Sequence, residues 1–310
     1  MARKRSLGKK RDTRPTRNVG HATPGPLGTR GPQYTLCLST SHAPGTDLDR
    51  ELETASQAGF SCVELWAPVL DVYLARHPLV WLELQIRRHG LSVSAIDGLD
   101  PLPAADAAGP EDRLVHQAYF LELCTHLDAL GGGTLVLHVG AGPQRRGAET
   151  VVRALRDYAD LAAPFEVTLA LEFKAASRVP DLDAALDLVR RAERSNLRLA
   201  ISAREWCASS AGPRPLDALE PGLLALVHLD DALSSPLAAE AADPARSLYA
   251  HLAAAGFRGP YCVPLLVPAV ETSAAPEGPG AQGAQKERAL ATRQAAQDLL
   301  APLFESSPAV

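Results

Sequence analysis

From Tyr34 onward, short apolar runs alternate with longer stretches in which apolar residues recur every three or four positions. The short runs predict strands over 34–39, 62–65, 91–96, 134–138, 167–172, 197–202, 225–229 and 261–266. They are near-continuously apolar, as strands covered on both faces should be. The longer stretches predict helices. Residues 47–58 place Leu48, Leu52 and Ala55 on one face and stop at Gly59. Residues 79–89 end at Gly90, and 111–130 end at Gly131, Gly132 and Gly133. A glycine there supplies the left-handed residue that closes a helix. Residues 181–192, 244–255 and 286–304 complete the helical set. The crossover after the sixth strand is weakest, with a short helix near 216–219. Residues 271–285, rich in Ala, Gly and Pro, read as a flexible loop.

Eight strand–helix units within residues 33–305 match the roughly 250 residues of a (β/α)8 TIM barrel, an α/β fold that forms one domain. A doubly wound open sheet is the runner-up. No Gly-x-Gly-x-x-Gly turn follows the first strand, so a dinucleotide-binding version has no support.

Residues 1–32 break the pattern. The first 31 hold nine Lys or Arg and one acid, Asp12, in a chain whose net charge is −5. Large apolar residues are scarce there, so the segment is expected to be a disordered basic tail. It would serve as a solubilising arm or, through residues 1–31, contact nucleic acid or another polyanion. The chain is 46% hydrophobic, ordinary for a globular protein. No apolar run approaches the roughly 20 residues of a membrane span. The five cysteines, Cys37, Cys62, Cys124, Cys207 and Cys262, are scattered and odd in number. They imply buried thiols, no disulfide framework and a reducing cytoplasm.

A parallel barrel builds its site at the C-terminal ends of its strands. The polar residues there are Ser41 and His42, Glu64 and Trp66, Asp97, His138, Glu172 and Lys174, Ser202 and Glu205, then His228, Asp230 and Asp231. Glu172 stands out, since a carboxylate inside Leu-Ala-Leu-Glu-Phe is expensive to bury unless it is paired or metal-bound. It would be a catalytic carboxylate or one half of a structural ion pair. Lys174 would neutralise it, or act as an acid or base if burial depresses its pKa. Glu64, Trp66, His138 and Trp206 are the candidate substrate contacts, the two indoles offering flat faces to a sugar ring or simply packing.

These residues resemble a family. Ala58-Gly59-Phe60, Val63-Glu64-Leu65-Trp66, Leu135-Val136-Leu137-His138, Leu171-Glu172-Phe173, Asn196-Leu197, Val227-His228-Leu229-Asp230-Asp231-Ala232 and Ala255-Gly256-Phe257-Arg258-Gly259-Pro260-Tyr261 occur in order. Their sequence is similar to that of the xylose-isomerase-like sugar isomerases and epimerases, especially the inosose isomerase-like branch. The resemblance spans nearly the whole barrel.

It implies an isomerase or epimerase acting on a small sugar, polyol or sugar-derived ketone. It also implies a divalent metal, Mn²⁺ or Mg²⁺, held by side chains of strands five to eight. Glu172 and His228 match two of those ligands. Ser202 stands where the family has Asp, Glu205 where it often has His, and Pro264 where it has Glu. The Arg-x-x-Pro-Gly-x-Gly stretch after strand seven is replaced by Leu233-Ser234-Ser235-Pro236-Leu237. Glu205, Asp230 and Asp231 are the candidate substitutes. The alternative is a non-catalytic barrel that has lost its metal and binds a ligand or partner. A nuclease of related fold would need a three-metal, His-rich cluster, which the strand ends do not supply.

Overall fold

A computed structural model describes residues 34–40, 47–102, 109–140, 147–208, 219–229, 238–264 and 279–305. The basic segment, and with it the expectation of disorder over 1–32, lies outside the described residues.

In chain order the elements are β1 (Leu36–Ser39), α1 (Leu48–Gln57), β2 (Cys62–Trp66), α2 (Ala67–Leu74), α3 (Leu79–Arg88), β3 (Ser92–Asp97), α4 (Pro110–Leu130), β4 (Thr134–Leu137) and α5 (Ala148–Ala162). They continue with β5 (Thr168–Glu172), α6 (Leu182–Ala192), β6 (Leu197–Ser202), α7 (Ala203–Ala208), β7 (Leu224–His228), α8 (Ala238–Ala254), β8 (Tyr261–Pro264) and α9 (Pro279–Glu305). The strands pair in sequence order, all parallel, and β8 returns to β1 to close the barrel. This is the expected (β/α)8 fold, with strand positions within about two residues of the sequence reading.

Local chemistry explains the helix limits. Asp181 Oδ1 accepts the backbone N–H of Ala184 at 2.9 Å, capping α6. Asp47 caps α1 in the same way through the N–H of Arg50. Gly131, at φ +71°, closes α4 in the left-handed region that side-chain-bearing residues rarely adopt.

Several elements depart from expectation. α2 follows β2 with no linker and opens at Ala67-Pro68, Pro being suited to a first turn. α5 buries Val151, Val152, Leu155, Tyr158 and Ala159, a regular apolar face that was not among the expected helices. After β6 the described helix is α7, directly at the strand end; of the expected helix near 216–219, residues 216–218 lie outside the described residues. α9 starts at Pro279, so residues 279–285 are helical rather than loop. A first-turn proline and the good helix formers Ala and Gln outweigh the two glycines.

The core has two parts. The larger lies between the strands' outer faces and the helices. The smaller fills the barrel, with one residue from each strand: Cys37, Cys62, Ala95, Val136, Ala170, Ala200, Leu226 and Cys262. Small side chains dominate this plug. Successive strand residues point to opposite faces, so the residue two positions on from each plug residue points the same way. That residue is Ser39, Glu64, Asp97, His138, Glu172, Ser202, His228 or Pro264. The polar level of the barrel therefore sits immediately above the apolar one.

The expectation that every cysteine stays reduced is overturned for one pair. Cys37 and Cys62 form a disulfide, with Cα atoms 4.8 Å apart. They are in-register partners on neighbouring strands and face the same interior, within ordinary disulfide reach. Their separation of 25 residues hid this in the sequence. Cysteine usage therefore no longer argues for a reducing compartment. Cys124, Cys207 and Cys262 remain outside any disulfide. Among the described residues no helix is long and apolar enough to cross a membrane.

Candidate functional site

The polar level forms one connected network. His228, at the end of β7, lies between two carboxylates. Its Nδ1 is 2.6 Å from Glu172 Oε1 and its Nε2 is 2.9 Å from Glu64 Oε1. The Ser39 hydroxyl donates to the other Glu64 oxygen at 2.5 Å. On the far side of Glu172, Oε2 lies 3.4 Å from His138 Nδ1 and 3.8 Å from Lys174 Nζ. The first is an ion-pair distance without hydrogen-bond geometry, and His138 Nδ1 is buried with no hydrogen bond. His138 Nε2 meets Asp97 Oδ1 at 3.2 Å, and the same oxygen accepts the N–H of Gly98. Ser39, Glu64, His138, Glu172 and His228 are all buried.

The protonation states follow from these contacts. Burial opposes charge on His228, but the carboxylates of Glu64 and Glu172 on either side outweigh it and raise its pKa well above the ordinary imidazole value. An imidazolium between two carboxylates donates from both ring nitrogens, which suits both contacts. Burial would likewise raise the pKa of Glu172, yet the charge of His228, its hydrogen bond and the charge of His138 bring it below the usual carboxylate value. For Asp97, burial is outweighed by the hydrogen bond and charge of His138, so its pKa is also lowered. Buried charges are here held by partners rather than by water.

Glu172 and His228 thus converge at the strand C-termini, as expected from their positions on β5 and β7. Glu64 and His138 join them in the same network. Lys174 stands at its edge with its side chain 42% exposed. Trp66 is half-buried, and its ring packs where a side chain on Gly98 would sit: a Cβ there would come within 2.5 Å of the indole. Gly98, at φ +90°, is the residue that both the backbone and this contact require. Trp206 is buried in α7 as part of the larger core. Sequence reasoning placed Asp97 at a strand end but gave it no role, and its link to His138 shows only in three dimensions. Cys262 was read as a buried hydrophobe; its sulfur lies within 4.8 Å of ligand atoms of both Glu64 and His228. Ser41, His42, Asp230 and Asp231 lie outside the described residues.

The strand-five to strand-eight metal implied by the resemblance is only half supplied. Ser202 Oγ accepts the N–H of Glu205 at 3.3 Å. The Glu205 carboxylate turns to the backbone N–H of Ala175, at 2.9 Å. Pro264 has no side-chain donor atom. The residues present at those positions do not fit four-ligand coordination of a hard cation.

The comparisons agree on architecture. Among solved structures, the IolI protein with a bound zinc atom superposes with a TM-score of 0.70 at 19% identity, over 87% of this chain and 99% of that one. D-psicose 3-epimerase from Clostridium cellulolyticum H10, solved with D-tagatose, gives 0.65 at 13% identity, over 86% and 99%. D-allulose 3-epimerase from Methylomonas sp., in complex with D-allulose, gives 0.65 at 16%, over 86% and 97%. No curated protein matches the chain. A family model described as xylose isomerase-like TIM barrel matches residues 52–289, most of the described barrel, and the chain belongs to that family.

Proposed function

We propose that this barrel is an isomerase or epimerase acting on a small sugar, polyol or sugar-derived ketone, with Glu172 carrying the transferred proton. The observation behind this is Glu172 itself, a buried carboxylate held ionised at the catalytic end of the barrel beside a lysine and two histidines. The sugars bound by the two epimerase neighbours support the substrate class.

The chemistry needed is modest. Glu172 takes a proton from the carbon next to the carbonyl; the C–H electron pair forms the carbon–carbon double bond and the carbonyl π pair moves to oxygen, giving an enediolate. The Lys174 ammonium, at the solvent edge, is the charge available to that oxygen. Return of the proton to the former carbonyl carbon, with the adjacent hydroxyl proton passing to the other oxygen, isomerises the substrate, whereas epimerisation needs a second proton donor on the opposite face of the same carbon. Glu64 and His138 supply the polar wall of the pocket, and Trp66 supplies an apolar one.

The test is hydrogen exchange read by NMR. Ketohexoses, aldoses and inososes are incubated with the protein in D₂O. One substrate should gain deuterium at a single carbon next to its carbonyl. The rate should fall at least about 100-fold in Glu172→Gln, the usual scale of a lost general base. Absence of exchange across the panel, or an unchanged rate in the variant, would defeat the reading.

Ser202 and Pro264 favour a second reading, a non-catalytic barrel that binds such a ligand without turning it over. It predicts a ligand-dependent rise in melting temperature with no deuterium gained.

A further inference from the structure

We infer that the barrel holds a zinc ion on Glu64, His228 and Cys262, a ligand set drawn from β2, β7 and β8 rather than from the four strands that the family resemblance implies. One carboxylate oxygen, one imidazole nitrogen and one thiol sulfur of these buried residues lie within 4.8 Å of one another. Zinc bonded to sulfur, nitrogen and oxygen in a tetrahedron would bring such atoms to roughly 3.3–3.8 Å apart. Small side-chain adjustments therefore suffice.

The surroundings are those of a metal ligand set. A ligating histidine usually donates its second ring N–H to a carboxylate, which fixes the tautomer and aims the other nitrogen at the metal. His228 has that partner in Glu172, 2.6 Å from Nδ1. Nε2 is then the nitrogen turned toward Glu64. The Glu64 carboxylate is itself held, since its Oε2 accepts the Ser39 hydroxyl and its Oε1 faces His228. Cys262 brings its sulfur from the plug level, where Cys37 and Cys62 are tied to each other and offer no thiolate. A bound cation would take the place of the hydrogen bond between His228 and Glu64.

The donor chemistry selects the metal. Thiolate and imidazole suit zinc, whereas Mg²⁺ and Mn²⁺ prefer sets made of oxygen. The carboxylate and thiolate together neutralise a divalent charge. Three protein ligands are the count of catalytic zinc sites, which keep a fourth position for water or substrate. Ser202 and Pro264 then need no replacement, because Glu64 and Cys262 supply the ligands that those two positions do not.

Cobalt reports the ligand directly. The full-length protein, stripped with chelator and left in its disulfide-bonded form, is titrated with Zn²⁺ and, separately, with Co²⁺. One equivalent of each should bind. The cobalt protein should show a near-ultraviolet thiolate-to-metal band that Cys262→Ser abolishes. Cys262→Ser and Glu64→Gln should weaken zinc binding by more than the roughly 10–100-fold expected for Glu172→Gln, which removes only a supporting contact. The double variant Cys37→Ser/Cys62→Ser should keep the band. No stoichiometric zinc binding, or bound cobalt without a thiolate band in the wild-type protein, would overturn the assignment. Wild-type spectra decide this even if a variant fails to fold. No turnover is measured, so this inference and the isomerase reading can each fail alone.

Discussion

Two levels of the same eight strands, two residues apart, have opposite chemistry. The lower level is Cys37, Cys62, Ala95, Val136, Ala170, Ala200, Leu226 and Cys262, an apolar plug. The upper level carries three carboxylates and two imidazoles, all linked through His228 and His138. The plug is held by packing and one disulfide, and the level above it by charge pairing. Charges can stay buried at the upper level only because each lies against an opposite charge or a donor.

The comparison can be broken from either side. The largest effect should come from His228→Leu, which leaves Glu64 and Glu172 buried without their shared partner. Removing one member of a buried pair costs about 3–5 kcal/mol, read as a lower urea midpoint. Equal stability would mean that the network contributes no net stabilisation. In the plug, Leu226→Ala should cost about 2–5 kcal/mol through lost burial and a cavity, with the His228–Glu172 contact intact. Those two measurements show whether the levels fail independently.

Asp97→Asn sharpens the electrostatic half. Asp97 has a lowered pKa in the fold. Its contribution is therefore complete above the unfolded carboxylate pKa of 3.8 and is lost as pH falls through the folded value. The variant should lose about 1.5–3 kcal/mol near neutral pH, the scale of a hydrogen bond to a charged group. The gap to wild type should close in acid, as urea melts at neutral and strongly acidic pH would show. A gap independent of pH would assign the loss to packing. The smallest stability effect belongs to Lys174→Met. Its partly exposed ammonium should be worth under about 1 kcal/mol, while deuterium exchange in the activity assay should drop sharply. A large fall in melting temperature instead would make Lys174 a structural charge.

Much of this was legible in the sequence, for physical reasons. Parallel strands with both faces covered leave near-continuous apolar runs, so all eight were readable. A lone carboxylate in 169–173 had to be paired or metal-bound, which marked Glu172, and the family resemblance at the end of the seventh strand marked His228. The pairing itself was not readable. Whether Glu64 meets His228 depends on closing a barrel between residues far apart in sequence. The same closure brings Cys262 against the site, while Cys37 meets Cys62 through the register of the neighbouring strands β1 and β2. α2 was missed because it starts without a linker, and the start of α9 because glycine and alanine near a proline read alike in loops and helix ends.

Closure also bears on how the chain is made. The last strand supplies the missing neighbour of the first: Tyr261 N donates to Thr35 O at 2.8 Å, and Thr35 N to Arg258 O at 2.9 Å. α9 then brings Phe304 against Tyr34, with ring centroids 4.9 Å apart. During synthesis, β1 emerges early and must wait for nearly the entire chain before its second edge is paired. Such distant contacts are slow to form, and an unpaired edge is a site for association with other chains. A chain ending before Tyr261 would keep every strand of the polar network and still present that open edge. In this barrel the C-terminal segment therefore acts on solubility before it acts on chemistry.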